Sequence, residues 1–207
     1  MPAVGKSMNV VVADTGLGNI KSVVRALDRA GARAVVSNDP DTVAKGDAVV
    51  VPGQGAFGDC SRALDHGLGD AIRQSIARGV PYLGICLGLQ VLFDSSEEAP
   101  GCAGLGVFGG HVARLPNAAG IKIPHVGWNL AEPVRDSWLV HEPEHFYFVH
   151  GYVVIPRDAS LACAMTEHGA RFVSAIEKDN VAAVQFHPEK SQRAGLALLE
   201  RFLQRGG

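Results

Sequence analysis

The feature that most constrains this chain is a series of short β-branched runs, each ending abruptly at a turn and each followed by helical spacing. "MNVVVAD" ends in the turn-rich "TGLGN", and "IKSVVRALDRAG" then carries apolar residues at helical intervals with a stop at Gly31. "ARAVVS" is a short strand, and "GDAVVVPG" is an apolar run that stops at Pro-Gly. "CSRALDHGLGDAIRQSIARG" reads as helix interrupted near Gly67, "PYLGIC" as strand and "LGLQVLFDSS" as helix. A strand that is apolar throughout has no face to offer water and must be covered on both sides. The alternation therefore predicts an α/β fold, an open and mostly parallel sheet with helices on both faces.

The rhythm changes from about Leu105 to Val184. There "GVFGGHVARL", "HFYFVHGYVV", "LACAMT", "RFVSAIEK" and "VAAVQF" read as strands joined by turns, before a closing helix "SQRAGLALLERFLQR". Additional antiparallel strands are expected late in the chain. No repeat, low-complexity stretch or Pro/Ser-rich linker divides the 207 residues, and 47% of them are hydrophobic, so one domain over 1–207 is expected.

A net charge of −2 gives no electrostatic case for nucleic acid or for an acidic membrane. No stretch approaches the ~20 consecutive apolar residues of a membrane span. The opening "MPAVGKSMNVVVA" lacks the apolar core of a signal peptide. Cys60, Cys86, Cys102 and Cys163 are widely spaced without a C-x-x-C pair, which reads as reduced thiols in a cytoplasmic protein.

In open α/β sheets, ligands bind at the carboxyl ends of the strands. Three stretches fall there: "VVVPGQG", "LGICLG" and "VQFHPEKS". Taken alone, Cys86 is either a small buried filler or a nucleophile at a sharp turn. Gly84-Ile85-Cys86-Leu87-Gly88 has the G-x-nucleophile-x-G form of an elbow, in which glycines let strand and helix approach closely. A helix starting at the cysteine favours thiolate, and the Leu87 amide would face an oxyanion formed on an attacked carbonyl. His187 ends a strand and is followed by Pro188 and Glu189, so a carboxylate two residues on can fix the imidazole tautomer. The Gly53-Gln54-Gly55 turn can supply a second oxyanion donor, since glycines let backbone approach a ligand or flip a peptide. The three stretches together make Cys86 the nucleophile, His187 its base and Glu189 the orienting group.

G-I-C-L-G-L-Q, P-G-Q-G-A-F-G-D and F-H-P-E-K-S together resemble the class I, or triad, glutamine amidotransferases over nearly the whole chain. The resemblance implies attack of Cys86 on the side-chain amide of glutamine, release of ammonia and hydrolysis of a γ-glutamyl thioester. It further implies that Gln90 lines the glutamine site, that Glu98 meets the α-ammonium, and that Gly151 and Tyr152 belong to a glutamine-contacting loop. No cofactor and no metal are implied. Thr15 and Gly151 depart from the family's pattern, the latter by lacking a hydroxyl.

Free ammonia is mostly protonated in neutral water, so it needs a shielded path to an acceptor, and a glutaminase of this length leaves no room for a synthase domain. "IPHVGWN", "FYFVHGY" and "DTGLGNIKSV" resemble the glutaminase subunit of imidazole glycerol phosphate synthase. That implies a heterodimer with a (β/α)8-barrel cyclase, docked through Asn19, Pro124, Val126, Trp128 and Tyr147. On composition, a loop carrying Trp128 is either a core plug or an interface anchor; the need for a sealed joint favours the anchor. Rival readings are a glutaminase for another acceptor, a stand-alone γ-glutamyl cysteine hydrolase, and a non-catalytic binding subunit.

Overall fold

Strand β1 (Asn9–Ala13) turns Val10 and Val12 to one face of a sheet and Val11 and Ala13 to the other, and all four are fully buried. That two-sided burial requires helices above and below. The computed structural model describes residues 8–117 and 119–205; the first seven residues of the stretch read as lacking a signal peptide lie outside the described residues.

The remaining early elements follow the expected alternation: β2 (Arg33–Ser37), β3 (Ala48–Gly53) and β4 (Tyr82–Cys86), with α1 (Ile20–Arg29), α2 (Pro40–Ala44), α3 (Phe57–Ala63) and α4 (Leu68–Ala77) between them. The break between α3 and α4 occurs where His66 and Gly67 adopt φ of 59° and 97°. The later part adds α5 (Leu87–Gln90), β5 (Ser95–Ser96), β6 (Gly110–Arg114), β7 (His125–Pro133), β8 (Glu144–His150), β9 (Tyr152–Pro156), β10 (Ala162–Glu167), β11 (Arg171–Lys178), β12 (Val181–Val184) and α6 (Gln192–Gln204).

A nine-stranded sheet runs β2-β1-β3-β4-β12-β11-β10-β7-β8. From β2 to β12 its neighbours are parallel, and from β11 to β8 they are antiparallel. Strands β5, β6 and β9 form a small second sheet. One core lies between the large sheet and helices α1 and α6, around Val23, Leu27, Leu198 and Phe202. The other, on the opposite face, packs Val43, Phe57 and Ile72 of α2, α3 and α4 against Val11 and Val49.

Three elements differ from the sequence reading. The helix expected from Leu87 to Ser96 is four residues long. The carbonyls of Val91 and Leu92 accept instead from the amides of Leu105 at 2.6 Å and Phe108 at 3.0 Å, which draws the chain away from the helix axis. "HVGWN", read as part of a loop, is the start of β7, paired with β8 so that Trp128 faces Tyr147 and His125 faces His150. Its alternation of buried His125 with exposed Val126 is the two-residue period of a strand. Helix α2 was not anticipated, although Asp39 caps it by accepting from the amides of Asp41 and Thr42, and Pro40 stands at its first position.

The site is positioned by the turn from β4 into α5. A Cβ on Gly84 would lie 2.3 Å from the Gly88 carbonyl oxygen, and one on Gly88 would lie 1.8 Å from that of Val51. Neither can carry a side chain while backbone occupies that space. Gly88→Ala is therefore expected to lower stability by about 3 kcal/mol or more. Gly151→Ala, whose new methyl meets Ile123 at an ordinary 3.7 Å, should change stability little. Urea denaturation of both variants checks this; equal midpoints would contradict the close-approach account.

Candidate active site

Cys86 ends β4 with φ 55° and ψ −100°, a conformation that residues bearing a Cβ rarely adopt. The sulfur belongs to a residue only 5% exposed. Register brings the other two motifs to it. Gly53 pairs with Cys86 across β3 and β4, which sets the Gly53-Gln54-Gly55 turn beside the elbow. Val184 pairs with Ile85 across β12 and β4, so the following residues, Gln185 to Glu189, run past the cysteine.

His187 is 1% exposed, and its Nδ1 lies 2.9 Å from Glu189 Oε1. Among the described residues Nε2 has no hydrogen-bond partner, which leaves it free to exchange a proton with the thiol or a substrate. Burial works against a charged imidazole here, yet the Cys86 sulfur and the Glu189 carboxylate outweigh it and push the His187 pKa up to about 9. The segment is clamped from below. The His187 amide donates to the Tyr147 carbonyl at 2.9 Å, while Ser191 Oγ donates to the His187 carbonyl at 2.7 Å and accepts from the Tyr147 amide at 3.0 Å.

Two of the other cysteines are buried away from ready ionisation. Burial pushes Cys60 up to about 12 and Cys163 up to about 11. Cys102 is half-buried, and all four thiols are free of disulfides.

Gln54, Gly55, Leu87, Gln90, Glu98, Gly151 and Tyr152 join Cys86 in lining a cavity of about 90 Å³. Val149 and His150 complete its wall; the sequence reading had not placed either in the site. Gly53 stands outside that wall, where a Cβ would come within 2.6 Å of Leu87 Cβ. The Leu87 amide is the first of α5 and has no acceptor inside the helix. Glu98 Oε2 accepts from the Phe57 amide at 2.7 Å, capping α3, and its other oxygen is left for a cationic group. Both amide hydrogens of Gln90 are used, by the Tyr152 carbonyl at 3.1 Å and by Gln185 Oε1 at 3.3 Å. Its carbonyl oxygen therefore remains to accept from a ligand. Thr15 is buried with its hydroxyl unpartnered among the described residues.

Two further histidines support the wall. His150 Nδ1 donates to the Tyr152 carbonyl at 3.0 Å, so its Nε2 must accept, here from His125 Nδ1 at 3.0 Å. His125 Nε2 in turn accepts from Asn129 Nδ2 at 3.2 Å. Burial, reinforced by neighbouring histidines, lowers His125 to about 4 and His150 to about 3, and both rings are neutral. Beside this network lies an apolar surface: Val126 is 56% exposed and Trp128 48%, with Tyr147 edge-on to Trp128 at 6.1 Å. Pro124 is exposed at the start of the same strand. Asn19, exposed at the cap of α1, follows Gly18, where a Cβ would touch the Gln54 amide nitrogen at 3.0 Å. Trp128 is thus at the surface and not a core plug. Among the described residues no helix is long and apolar enough to cross a membrane.

The family model for class-I glutamine amidotransferases matches residues 11–205. The chain is 48% identical over 200 residues to the imidazole glycerol phosphate synthase subunit HisH of Aquifex aeolicus, covering 94% of this chain and 96% of that one. It is 45% identical over 197 residues to the subunit of the same name from Methanothermobacter thermautotrophicus, covering 94% and 98%. Among solved structures, a glutamine amidotransferase superimposes with a TM-score of 0.76 at 23% identity, covering 96% of this chain and 98% of that one. PurLQS from Thermotoga maritima gives 0.73 at 19%, covering 97% and 99%. At such identities the structures share the fold.

The two neutral histidines make the site acid-sensitive. Unfolded imidazoles titrate near 6.5, whereas His125 and His150 hold no proton until about 4 and 3. Between pH 6.5 and about 4 the unfolded chain binds more protons than the folded chain, so stability falls as pH falls. His187, protonated in both states there, adds nothing to that slope. Urea denaturation from pH 6 to 4.5, below the range in which His187 contributes, should show this loss, and His125→Asn should reduce its slope by about half. An unchanged slope would contradict the neutral pair.

Proposed function

The chain belongs to the class-I glutamine amidotransferases, and from that membership we propose that it is the glutaminase subunit of an imidazole glycerol phosphate synthase. It hydrolyses glutamine to glutamate and ammonia and passes the ammonia to a cyclase subunit. The observation that carries this reading is a cavity walled by Cys86, with the His187–Glu189 pair against that sulfur, beside an exposed Val126–Trp128 strand.

Glutamine enters with its carboxamide toward Cys86, its α-ammonium toward the free oxygen of Glu98 and a donor toward the Gln90 carbonyl. The sulfur attacks the carboxamide carbon with its proton already passed to His187, which is held charged to about 9. The developing oxyanion is met by the amides of Leu87 and Gln54; a single donor of this kind contributes on the order of 3 kcal/mol to the barrier. His187 returns its proton to the leaving nitrogen, and ammonia departs from a γ-glutamyl thioester. Water, activated by the same imidazole, then releases glutamate. Glu189 keeps Nδ1 protonated throughout, so Nε2 is always the nitrogen that exchanges.

The partner docks on Asn19, Pro124, Val126, Trp128 and Tyr147. This surface adjoins the site: Tyr147 is held through its backbone to the His187 segment. A cyclase of (β/α)8-barrel fold seated there would close the path between thiol and acceptor, and the chain performs this as a single domain in the cytoplasm, where relatives of the same name act in biosynthesis. Because an uncoupled glutaminase wastes glutamine, the isolated chain is expected to hydrolyse it slowly until the acceptor-loaded partner is bound.

Cys86→Ala should abolish glutamine hydrolysis while the partner still uses added ammonia. Glu189→Gln should keep partial activity, since an orienting group costs less to lose than the base it holds. Assays of glutamine- and ammonia-dependent synthesis check both, and ammonia-dependent synthesis lost with Cys86 would contradict the division of labour. Trp128→Ala should weaken association at least tenfold, about 1.4 kcal/mol, with an unchanged melting temperature in the isolated chain. A variant that melts far earlier yet binds normally would remove Trp128 from the docking face.

A further inference from the structure

Gln185 is fully buried, and the reaction as described does not use it. A buried primary amide is costly unless its groups are bonded, and a methionine or leucine would fill the space without that cost. Its surroundings give the amide a task. Gln185 directly follows β12, two residues before His187, and both side chains reach Cys86. Gln185 Nε2 lies 3.5 Å from the Cys86 sulfur.

The direction of that contact follows from its neighbours. The Tyr152 carbonyl can only accept, and it takes His150 Nδ1–H at 3.0 Å and Gln90 Nε2–H at 3.1 Å on its two lone pairs. The nitrogen of Gln90 therefore faces Gln185 as well, and only an oxygen of Gln185 can meet it, at 3.3 Å. The Gln185 nitrogen is left pointing at the sulfur. Its backbone is tied too, the amide donating to the Ser174 carbonyl at 2.9 Å.

We propose that Gln185 is a positioning residue for Cys86, its side-chain N–H holding the sulfur toward His187 and supporting negative charge on it. This rests on the reading of Cys86 as the nucleophile. A hydrogen bond to the charged form of a group favours that form, so the Gln185 amide works with His187, one as donor and the other as proton acceptor. The sulfur's weaker contact, to the Val149 carbonyl at 3.8 Å, uses only its thiol hydrogen and vanishes on deprotonation. The titratable groups around the sulfur are His187 and Glu189 from the same segment, His150, Tyr152 and Glu98 in the cavity wall, and Cys60 on α3. Substituting Gln185 changes none of them.

The test is the pH dependence of Cys86 alkylation by iodoacetamide in the full chain and in Gln185→Met, with the modified cysteine identified by mass spectrometry. The variant should need about one pH unit more for the same alkylation rate, about tenfold slower at a fixed pH. In the complex its kcat for glutamine hydrolysis should fall about tenfold, more than KM changes. A merely structural bridge between β12 and α5 would lower the melting temperature and leave the alkylation profile in place, which overturns the proposal. Alkylation of a cysteine other than Cys86 in the unsubstituted chain would overturn the nucleophile assignment itself. The unsubstituted chain also carries its own readout, should the variant not fold. The Gln185 side-chain amide resonances should shift with the pH midpoint of Cys86 alkylation, and resonances that do not move would overturn the proposal.

Discussion

Three backbone segments meet at the end of β4 with no room for a side chain between them. Gly88 rests on the Val51 carbonyl, Gly84 rests on Gly88, and Gly53 leaves space for the Leu87 side chain. This close approach forces the chain to turn within one residue, and that residue, Cys86, takes the positive φ. The strain is held in place by a core that is fully packed on both faces of the sheet, as Val11, Val50, Leu83 and Leu89 illustrate. Everything the site does depends on that geometry. It lifts a sulfur to the end of the sheet, opens the Leu87 amide toward the cavity, and sets the Gly53 turn against it through strand register.

The same residue type is then driven in opposite directions by its surroundings. His187 is buried beside a carboxylate and a sulfur, and its proton is held up to about 9. His125 and His150 are buried beside each other and beside Phe148, with every polar atom already bonded, and they stay neutral. One imidazole is prepared to carry charge and two are prepared to refuse it. The β7–β8 pair joins these functions, since it carries the neutral histidines inward, the Trp128–Tyr147 pair outward, and the backbone clamp on the His187 segment. The Tyr147 strand is thus one hydrogen bond from His187.

Much of this was legible in the sequence because it is local. The G-x-C-x-G spacing, the strand-ending His-Pro-Glu and the Gly-Gln-Gly turn each signal a backbone event, and the structure brings all three together. The parallel strands were legible because apolar runs without a polar face admit few arrangements. What escaped reading depended on partners far along the chain. The short α5 is cut off by amides of Leu105 and Phe108, distant in sequence. The β7 strand hides its period because His125 faces inward as a buried polar residue and Gly127 interrupts the apolar positions. Gln185 looked like an ordinary strand residue, because its contacts with Cys86 and Gln90 lie about a hundred residues away in sequence.

The most direct test of the central claim is acid-quenching the complex during glutamine turnover and locating the acyl group by peptide mass spectrometry. This account predicts a γ-glutamyl thioester on Cys86 alone, absent when His187 is replaced by asparagine. An adduct on Cys60, Cys102 or Cys163, or steady hydrolysis of glutamine with Cys86 replaced by alanine, would contradict it.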